Sequence, residues 1–591
     1  MSKKRTTTVL SILSIILLIV MFIWNPCTAS NRTMEYRNDR NVECEIQFSK
    51  QSGFYSEDFL LEIYAPTDEI YYTLDGSDPD ETAIPYTQPI PISDATPNEN
   101  VYSARTDTST AFFKELLWKT NSSTLCDPAY EYQVPDYAVD KCTVVRAVYY
   151  DKNRKKSDIT TGVYFVGYED RAGYEGIDII CITTDPDNLF GYENGIYVTG
   201  KTFDDLVDNG YLEEESDYLA RGLSNFWDAN YHLRGSAAER SATMQLINPH
   251  GNIYTQNVGV RIQGGASRST ATKSLNLYAR KKYGNNTKIF YDFWSTGYIP
   301  DKVTLSSCGN DMYSKIRDRL VAKLSIEAEA EFATMHFRPY ILFLNGEYWG
   351  IYYIVEKYDE EYLGKYYNVD SNNVAMIKAG SLEFGEEEDL LMYQKMMCFL
   401  ESEDLSDADN YEIASNLIDI QSTIDYFAVE LYVGRCNDWY PGYGNTALWK
   451  VQQAGEGDYE DGKWRWMLFD QNSGGLGFIS DGIDSIENTR AISPMFNNLC
   501  TNESFRAALA ERIIELGQGA FSTSNVNAAI DKYVEELEEP MNVYFKRFFG
   551  TDTTKFYSEV ASIQAFFEHR LEDMIGYIEK NFQGVDIELL Y

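Results

Sequence analysis

The pattern of apolar and polar residues changes near residue 170. Between residues 51 and 167, short runs such as 59–64, 69–73 and 142–150 alternate apolar and polar positions, and Asp-Gly or Pro turns separate them. A period of two predicts antiparallel strands, and runs this short predict a small β-sandwich. Asp75-Gly76 fits a tight hairpin turn because glycine accepts the positive φ that such a turn needs.

From about residue 175 the pattern mixes strands and helices. Residues 177–183, 242–251 and 258–283 predict strands and turns, and residues 340–355 predict a hairpin that turns at Asn345-Gly346. Helical periodicity marks residues 314–330, 385–402, 409–434 and the chain beyond about 494. The sequence therefore predicts a multidomain protein: a small all-β sandwich at 51–167, expected to fold independently, and an α+β domain with a helical C-terminal part at 175–591.

Residues 1–30 predict a signal peptide or a signal anchor. Lys3, Lys4 and Arg5 precede an apolar run at 9–24, and small residues follow at 28–30, which is the order of a secretory signal. The run is short for a spanning helix, which needs roughly 17–25 residues, yet an uncleaved anchor stays open. We expect an extracytoplasmic protein, secreted or held at the cell surface, that meets the membrane only through this segment. The polar, irregular composition of residues 31–50 predicts a short linker.

Charge and cysteine usage exclude some functions. The 591 residues include 91 acidic and 51 basic side chains, for a formal charge of −40. Such a surface repels nucleic acids and anionic lipids and favours basic protein partners. Nine scattered cysteines and four separated histidines argue against a zinc site. In an exported protein, Cys126 and Cys142 could form a disulfide.

Four blocks occur in order along the second region: residues 260–268 with Lys273, residues 310–318, residues 344–357, and residues 436–439 with Asn445 and 464–470. Together they resemble the CotH kinases, atypical kinases of the spore-coat protein H type. The resemblance implies a protein-kinase-like domain that uses ATP with Mg²⁺ or Mn²⁺. Residues 70–79, with Tyr86, resemble the chitobiase C-terminal-like module, which would allow contact with polysaccharide.

The first block contains candidates for nucleotide binding. Phosphoryl transfer needs a cradle for phosphates and cations that neutralise them. Three small residues would let backbone N–H groups approach a phosphate: Gly264, Gly265 and Ser267. Three basic residues would supply positive charge: Arg261, Arg268 and Lys273. A hairpin with a glycine turn and a solvated basic rim would explain the same residues.

The later blocks contain candidates for catalysis and metal binding. In protein kinases an Asp and an Asn lie close together in the catalytic loop, and a strand-borne Asp follows. By this resemblance Asp438 would orient or deprotonate the acceptor hydroxyl, and Asn445 and Asp470 would bind Mg²⁺. A loop or helix cap at Asp438 and a strand-end turn at Asp470 are the structural alternatives.

Three further residues of these blocks have open roles. Glu356 would hold Lys273, or it would pair at the surface with the neighbouring Lys357. An Arg–Asp pair at 317–318 would fix a helix. Where CotH kinases usually have Asp-x-Asp, this chain has Asp470-Gln-Asn472. If Asn472 faces the metal, Mg²⁺ binding is expected to be weaker, and otherwise Asn472 caps a turn.

We expect an exported, ATP-dependent phosphotransferase that acts on Ser or Thr hydroxyls of surface or extracellular proteins, basic ones in particular. The alternative is a non-catalytic cell-surface, cell-wall or polysaccharide-binding protein with a degenerate kinase-like domain, since ATP is scarce outside cells. A glycosidase would need an acid–base carboxylate pair at a fixed separation, and the sequence singles out none.

Overall fold

The computed structural model describes residues 45–109, 133–169, 171, 173–174, 176–209, 229–248, 251, 253–284, 286–435, 439–440, 444–472, 474–477 and 482–586. The chain divides into two compact units, residues 1–45 and 46–591, and only Glu45 of the first is described. The predicted signal segment at 1–30 and Cys126 therefore lie outside the described residues. Among the described helices, none combines the length and apolar character needed to cross a membrane.

The N-terminal module is built from nine short strands: β1 Gln47–Phe48, β2 Gly53–Tyr55, β3 Phe59–Leu61, β4 Ile63–Tyr64, β5 Ile70–Thr73, β6 Ile84–Pro85, β7 Ile90–Ile92, β8 Thr143–Tyr149 and β9 Thr160–Val166. Five of them form one sheet in the order β2-β9-β8-β5-β6, and β1-β4 and β3-β7 form two small pairs. Alternate residues of β8 point to opposite faces of the sheet. Val145 lies in the core of the module, whereas Val144 lies in the large core of the rest of the chain.

Seven strands close into a barrel: β10 Asp178–Thr183, β11 Arg240–Ile247, β12 Ile253–Gln263, β13 Ser274–Tyr278, β14 Lys302–Ser306, β15 Phe337–Leu344 and β16 Glu347–Val355. Their order is β10-β11-β12-β13-β14-β16-β15, and the parallel pair β10–β15 completes the barrel. Apolar side chains such as Val260, Leu277 and Trp349 fill the interior. The β15–β16 hairpin turns at Asn345 and Gly346, both with positive φ, as the sequence predicts.

A second, four-stranded sheet and most of the helices follow. The strands are β17 Val374–Lys378, β18 Ser381–Phe384, β19 Ala447–Val451 and β20 Arg465–Met467, in the order β18-β17-β19-β20. The helices are α1 Pro186–Phe190, α2 Gly200–Asp208, α3 Lys281–Gly284, α4 Arg317–Glu327, α5 Glu360–Tyr367, α6 Glu387–Ser402, α7 Ala408–Leu417, α8 Ile420–Tyr432, α9 Ser485–Ile492, α10 Pro494–Leu499, α11 Glu503–Gln518, α12 Thr523–Phe549, α13 Thr554–Glu568 and α14 Arg570–Asn581. The predicted class is confirmed: a β-rich N-terminal region precedes a mixed α/β region with a helical C-terminal part.

The N-terminal module packs directly on the barrel. Cys142 donates its backbone N–H to the carbonyl of Gly346 (2.9 Å), and the rings of Phe165 and Phe343 meet edge to face at 5.0 Å. These residues belong to the module on one side and to the β15–β16 hairpin on the other. The predicted domain boundaries stay predictions, but this interface buries surface that a separated module would expose.

Candidate active site

The loop between β12 and β13 has a backbone that requires glycine. Gly264 has a φ of +116°, and a Cβ at this position would lie 2.4 Å from Oγ of Ser267. The next residue, Gly265, is exposed, and a Cβ there would meet no atom within 4 Å. A short 3₁₀ turn, Ala266–Ser269, follows. The tip of this glycine loop is therefore open to the approach of a ligand.

Two buried cations hold the glycine loop from inside. Arg268 donates from Nε to the carbonyl of Gly264 (2.7 Å), and Nζ of Lys273 donates to the carbonyls of Arg268 (2.6 Å) and Thr270 (2.7 Å). Nζ of Lys273 also lies 4.1 Å from the ring centroid of Tyr231. Burial lowers the pKa of Lys273 well below its ordinary value and that of Arg268 to about 10. Because their donors face carbonyls, the geometry supports positioning of the loop, rather than the direct phosphate contact expected for both residues.

The expected pair between Lys273 and Glu356 does not form. Glu356 lies at the end of β16, where its carboxylate accepts hydrogen bonds from the backbone N–H of His336 (2.7 Å) and from Tyr366, and its Oε2 lies 2.8 Å from Nδ1 of His336. The ammonium of Lys273 binds the loop carbonyls instead. The alternative surface pair of Glu356 with Lys357 is also absent, since Glu356 is buried on these partners.

Four basic residues form a cationic cluster between the outer face of the barrel and the small sheet: Arg261, Lys302, Lys357 and Lys378. Side chains alternate along β12, so Val260 and Ile262 fill the barrel while Arg261 points outward. Burial lowers the pKa of Lys357, and the charges of Lys302, Lys378 and Arg261 lower it further. Burial also lowers the pKa of Lys378. The neighbouring cations therefore repel Lys357, although Glu383 offsets part of this repulsion and Lys302 also pairs with Asp359 (3.2 Å).

Asp318 and Asp470 form an acidic pair beside this cluster. Asp318 lies in the first turn of α4, and Asp470 follows β20 with a φ of +49°. The Asp318 carboxylate accepts hydrogen bonds from the backbone N–H of Gln471 and from Nδ2 of Asn472 (3.3 Å). Burial, and then the charge of Asp470, raise the pKa of Asp318 to about 7. The two carboxylates thus lie close enough for the charge of one to raise the pKa of the other.

The small sheet brings two of the predicted metal ligands to one end. In its register Lys378 pairs with Ala447, and Ala447 pairs with Met467. Asn445 precedes β19 and Asp470 follows β20, so both lie at the end of the sheet where Lys378 lies. Asp438, the predicted catalytic residue, lies outside the described residues, and its role stays a prediction.

The sequence did not identify Asp318 as a site residue. It predicted a structural pair with Arg317, but Arg317 binds Asp311 (2.5 Å) and Glu559 (2.8 Å) instead. Neighbouring residues of a helix do not face each other, so the adjacency of 317 and 318 in α4 already argued against that pair. Asn472 donates its amide N–H to Asp318, so this residue lies beside the acidic pair.

The acidic pair suits Mg²⁺ bound together with a nucleotide. Mg²⁺ needs only one or two protein carboxylates when phosphate and water oxygens complete its shell. Within the described part of the chain, no group of three or more His, Cys, Asp or Glu residues could hold a metal by itself. Burial and the charge of Asp470 disfavour the ionised form of Asp318, and a divalent ion bound by both carboxylates would stabilise that form.

The open glycine loop, the cationic cluster and the acidic pair are thus the parts that a phosphate and metal site needs in an α+β fold. Residues 260–574, more than half of the chain, match the family model described as CotH kinase protein. The chain therefore belongs to the CotH kinase family. Residues 60–164 match the model of an Fn3 associated domain, so the finer expectation of a chitobiase-like module is not confirmed. A comparison with curated proteins finds no match.

Proposed function

We propose that this chain is an atypical kinase that transfers the γ-phosphoryl group of ATP to Ser or Thr hydroxyls of proteins. The observation that carries the proposal is the acidic pair Asp318–Asp470 beside the cationic cluster. Phosphoryl transfer is catalysed mainly by positioning and charge neutralisation, and this arrangement offers opposite charges to a nucleotide and to its metal.

Each part of this site has a proposed task. Asp470 and Asp318 would hold Mg²⁺ or Mn²⁺, with Asn445 at the same end of the sheet, and the metal would neutralise charge on the phosphates. Lys357 and Lys378 would bind phosphate oxygens, a task that the sequence assigned to Lys273. The glycine loop would cover the phosphates, and Lys273 and Arg268 would hold its backbone in place.

The acceptor side and the location remain parts of the proposal. Asp438 would orient or deprotonate the acceptor hydroxyl, as its place in the family motif implies. Residues 1–30 would direct the protein out of the cytoplasm, and the acceptors would be surface or extracellular proteins. The opposing hypothesis is a non-catalytic surface protein whose kinase-like domain binds a ligand without transferring phosphate.

Transfer of radiolabelled phosphate from ATP, with Mg²⁺ or Mn²⁺ and the purified full chain, tests the proposal. We expect incorporation into a Ser- and Thr-containing protein substrate, and loss of at least a hundredfold in kcat for Asp470→Asn. Asp458→Asn is the matched control, because this exposed residue lies in the β19–β20 loop at the opposite end of the same sheet. ATP binding without any transfer by the unmodified protein would favour the non-catalytic hypothesis.

A further inference from the structure

Exposed cations continue the basic face of the barrel beyond the cationic cluster. Arg280 follows β13, and Lys282 lies in α3. The guanidinium carbon of Arg280 lies 4.8 Å from the ring centroid of Tyr278, and that of Arg261 lies 4.2 Å from the same centroid. Tyr278 therefore contacts both guanidinium groups. We call Arg261, Arg280 and Lys282 the basic rim.

A single buried carboxylate organises the basic rim. The side chain of Glu239 is fully buried, and its Oε1 lies 3.0 Å from Nε of Arg280 and 3.2 Å from Nζ of Lys282. Nε of Arg261 lies 3.6 Å from Oε2. Burial opposes ionisation of Glu239, but a hydrogen bond from Tyr283 and the nearby cations outweigh it and hold its pKa below the ordinary value.

The backbone leaves room for this arrangement. A Cβ at position 259 would lie 2.8 Å from Oε1 of Glu239 and 2.5 Å from the ring of Tyr283, so only glycine fits there. One carboxylate neutralises one of three cations, which leaves the rim with a local charge of about +2. The side chains of Arg280 and Lys282 remain 44% and 53% exposed. The rim is thus held in place and still offers positive charge to solvent.

We propose that the basic rim binds acidic residues of the acceptor protein and thereby selects Ser or Thr sites in an acidic context. This inference rests on the proposed kinase function. Arg261 belongs to both the cationic cluster and the rim, so a peptide on Arg280 and Lys282 would lie next to the proposed phosphate site. The formal charge of −40 favours basic partners at a distance. Salt screens charges that lie more than about 8–10 Å away, so the local charge of the rim has the stronger effect on a peptide in contact with it.

Two peptides of equal length test the inference, one with Asp and Glu around a single Ser and one with Gln at those positions. With the full chain we expect kcat/KM for the acidic peptide to exceed that for the neutral peptide at least tenfold. The double variant R280E/K282E should reduce that ratio to about one, and R280Q/K282Q should reduce it partly. Lys463→Glu, in the β19–β20 loop, is the control for an added negative charge and should leave the ratio unchanged.

Other outcomes separate this inference from the kinase proposal. Transfer with no preference for the acidic peptide, or a ratio that R280E/K282E leaves unchanged, would overturn the inference alone. A rise in the KM for ATP in R280E/K282E that matches the rise for the peptide would assign the rim to the nucleotide. If no peptide is phosphorylated, anisotropy of the fluorescein-labelled acidic peptide still reports binding. Salt-sensitive binding that R280E/K282E abolishes would support the rim while the kinase proposal fails.

Discussion

Lys378 and Lys463 lie at opposite ends of the small sheet, and only Lys378 belongs to the cationic cluster. We therefore expect their substitution to affect ATP binding differently. Lys378→Ala should weaken ATP binding about tenfold or more, because a charge-assisted hydrogen bond contributes about 1.5–3 kcal/mol. Titration calorimetry with ATP and Mg²⁺ measures the change. Lys463→Ala, a partly exposed lysine at the other end of the small sheet, should bind ATP as the unmodified protein does. Equal affinities for both variants would remove Lys378 from the phosphate site.

Asn472 provides a test of the acidic pair. Asn472→Asp would place a third carboxylate beside Asp318 and Asp470. Without metal, repulsion should lower the free energy of unfolding by about 1–3 kcal/mol near neutral pH. With Mg²⁺ and a non-hydrolysable ATP analogue, the added charge should instead strengthen metal binding. Thermal unfolding with and without these ligands measures both effects.

The control for this variant is Asn98→Asp, which adds the same charge at an exposed position of the N-terminal module. It should change neither the metal-free stability nor the shift that the ligands cause. If Asn472→Asp behaves in the same way, its side chain lies outside the metal shell, and only Asp318, Asp470 and Asn445 remain as proposed ligands.

His232 lies between Tyr231 and Leu233, whose carbonyls accept hydrogen bonds from Arg268 of the glycine loop. Its surroundings predict a pH dependence of the stability of the fold. Burial and the charges of Arg268, Lys273 and Arg234 lower its pKa from 6.5 to about 4. Between these values the unfolded chain binds a proton that the folded chain does not, so stability falls as pH decreases from 6.5 to 4. Partial exposure screens the effect, and we expect about 2 kcal/mol. In His232→Gln this part of the pH dependence should disappear from urea unfolding curves, and an identical pH profile would contradict the assignment.

Residue types, but not their surroundings, could be predicted from the sequence. The basic character of the β12–β13 region was correctly located, and Arg261 lies in the cationic cluster. The sequence predicts Lys273 as a phosphate ligand because it does not show that the ammonium is buried on the carbonyls of Arg268 and Thr270. Asp318 was missed because its partner Asp470 follows 152 positions later, and only the tertiary fold brings them together.

At the scale of elements, the glycine loop should be sensitive to added side chains. Gly264→Ala combines a positive φ with a close contact to Ser267, and we expect a loss of about 1–3 kcal/mol and weaker ATP binding. Gly235→Ala is the matched control, because Gly235 also has a positive φ (+77°) but no atom would lie within 4 Å of its Cβ. Thermal unfolding and ATP titration of both variants separate backbone strain from the contact inside the loop. Similar losses in both would show that the contact contributes little.

Local elements such as hairpins could be predicted from the sequence, but the closure of the strands into a barrel could not. The β15–β16 hairpin follows from Asn345-Gly346 between two apolar runs, since all of its information lies within about 20 residues. The barrel closes through the parallel pairing of β10 with β15, in which Asp178 lies opposite Tyr340. No local pattern specifies a partner that far along the chain, and the sequence predicted strands without their order.

At the scale of the molecule, the N-terminal module and the barrel form one packed structure. Val144, Val163 and Phe165 of the module belong to the same buried apolar cluster as Phe343 and Tyr348 of the β15–β16 hairpin. The glycine loop, which joins two barrel strands, and the module are thus connected through the barrel. A family resemblance delimits sequence units, but it does not show whether the surface between them is apolar and buried.

Hydrogen bonds to Glu347 connect the module to the barrel and contribute to the stability of both. This buried carboxylate of β16 accepts hydrogen bonds from the backbone N–H groups of Val101 (2.6 Å) and Ser103 (2.7 Å) in the module. A chain of residues 168–591 would leave the carboxylate without these donors and would expose the apolar face of the hairpin. Both effects are destabilising, since a buried polar group that loses its partners costs about 1–3 kcal/mol and a charged one more.

We therefore expect the 168–591 fragment to unfold at least about 10 °C below the full chain, whereas the full chain should unfold both regions in one transition. Differential scanning calorimetry of the two chains measures this. Glu347→Gln in the full chain isolates the polar contact, because the amide can accept one hydrogen bond but its NH₂ group opposes the second N–H, and we expect a loss of about 1–3 kcal/mol. A fragment with the melting temperature and transfer activity of the full chain would restore the independent module that the strand pattern predicts. A destabilised fragment would instead show that the Fn3-associated module and the CotH domain fold as one cooperative unit.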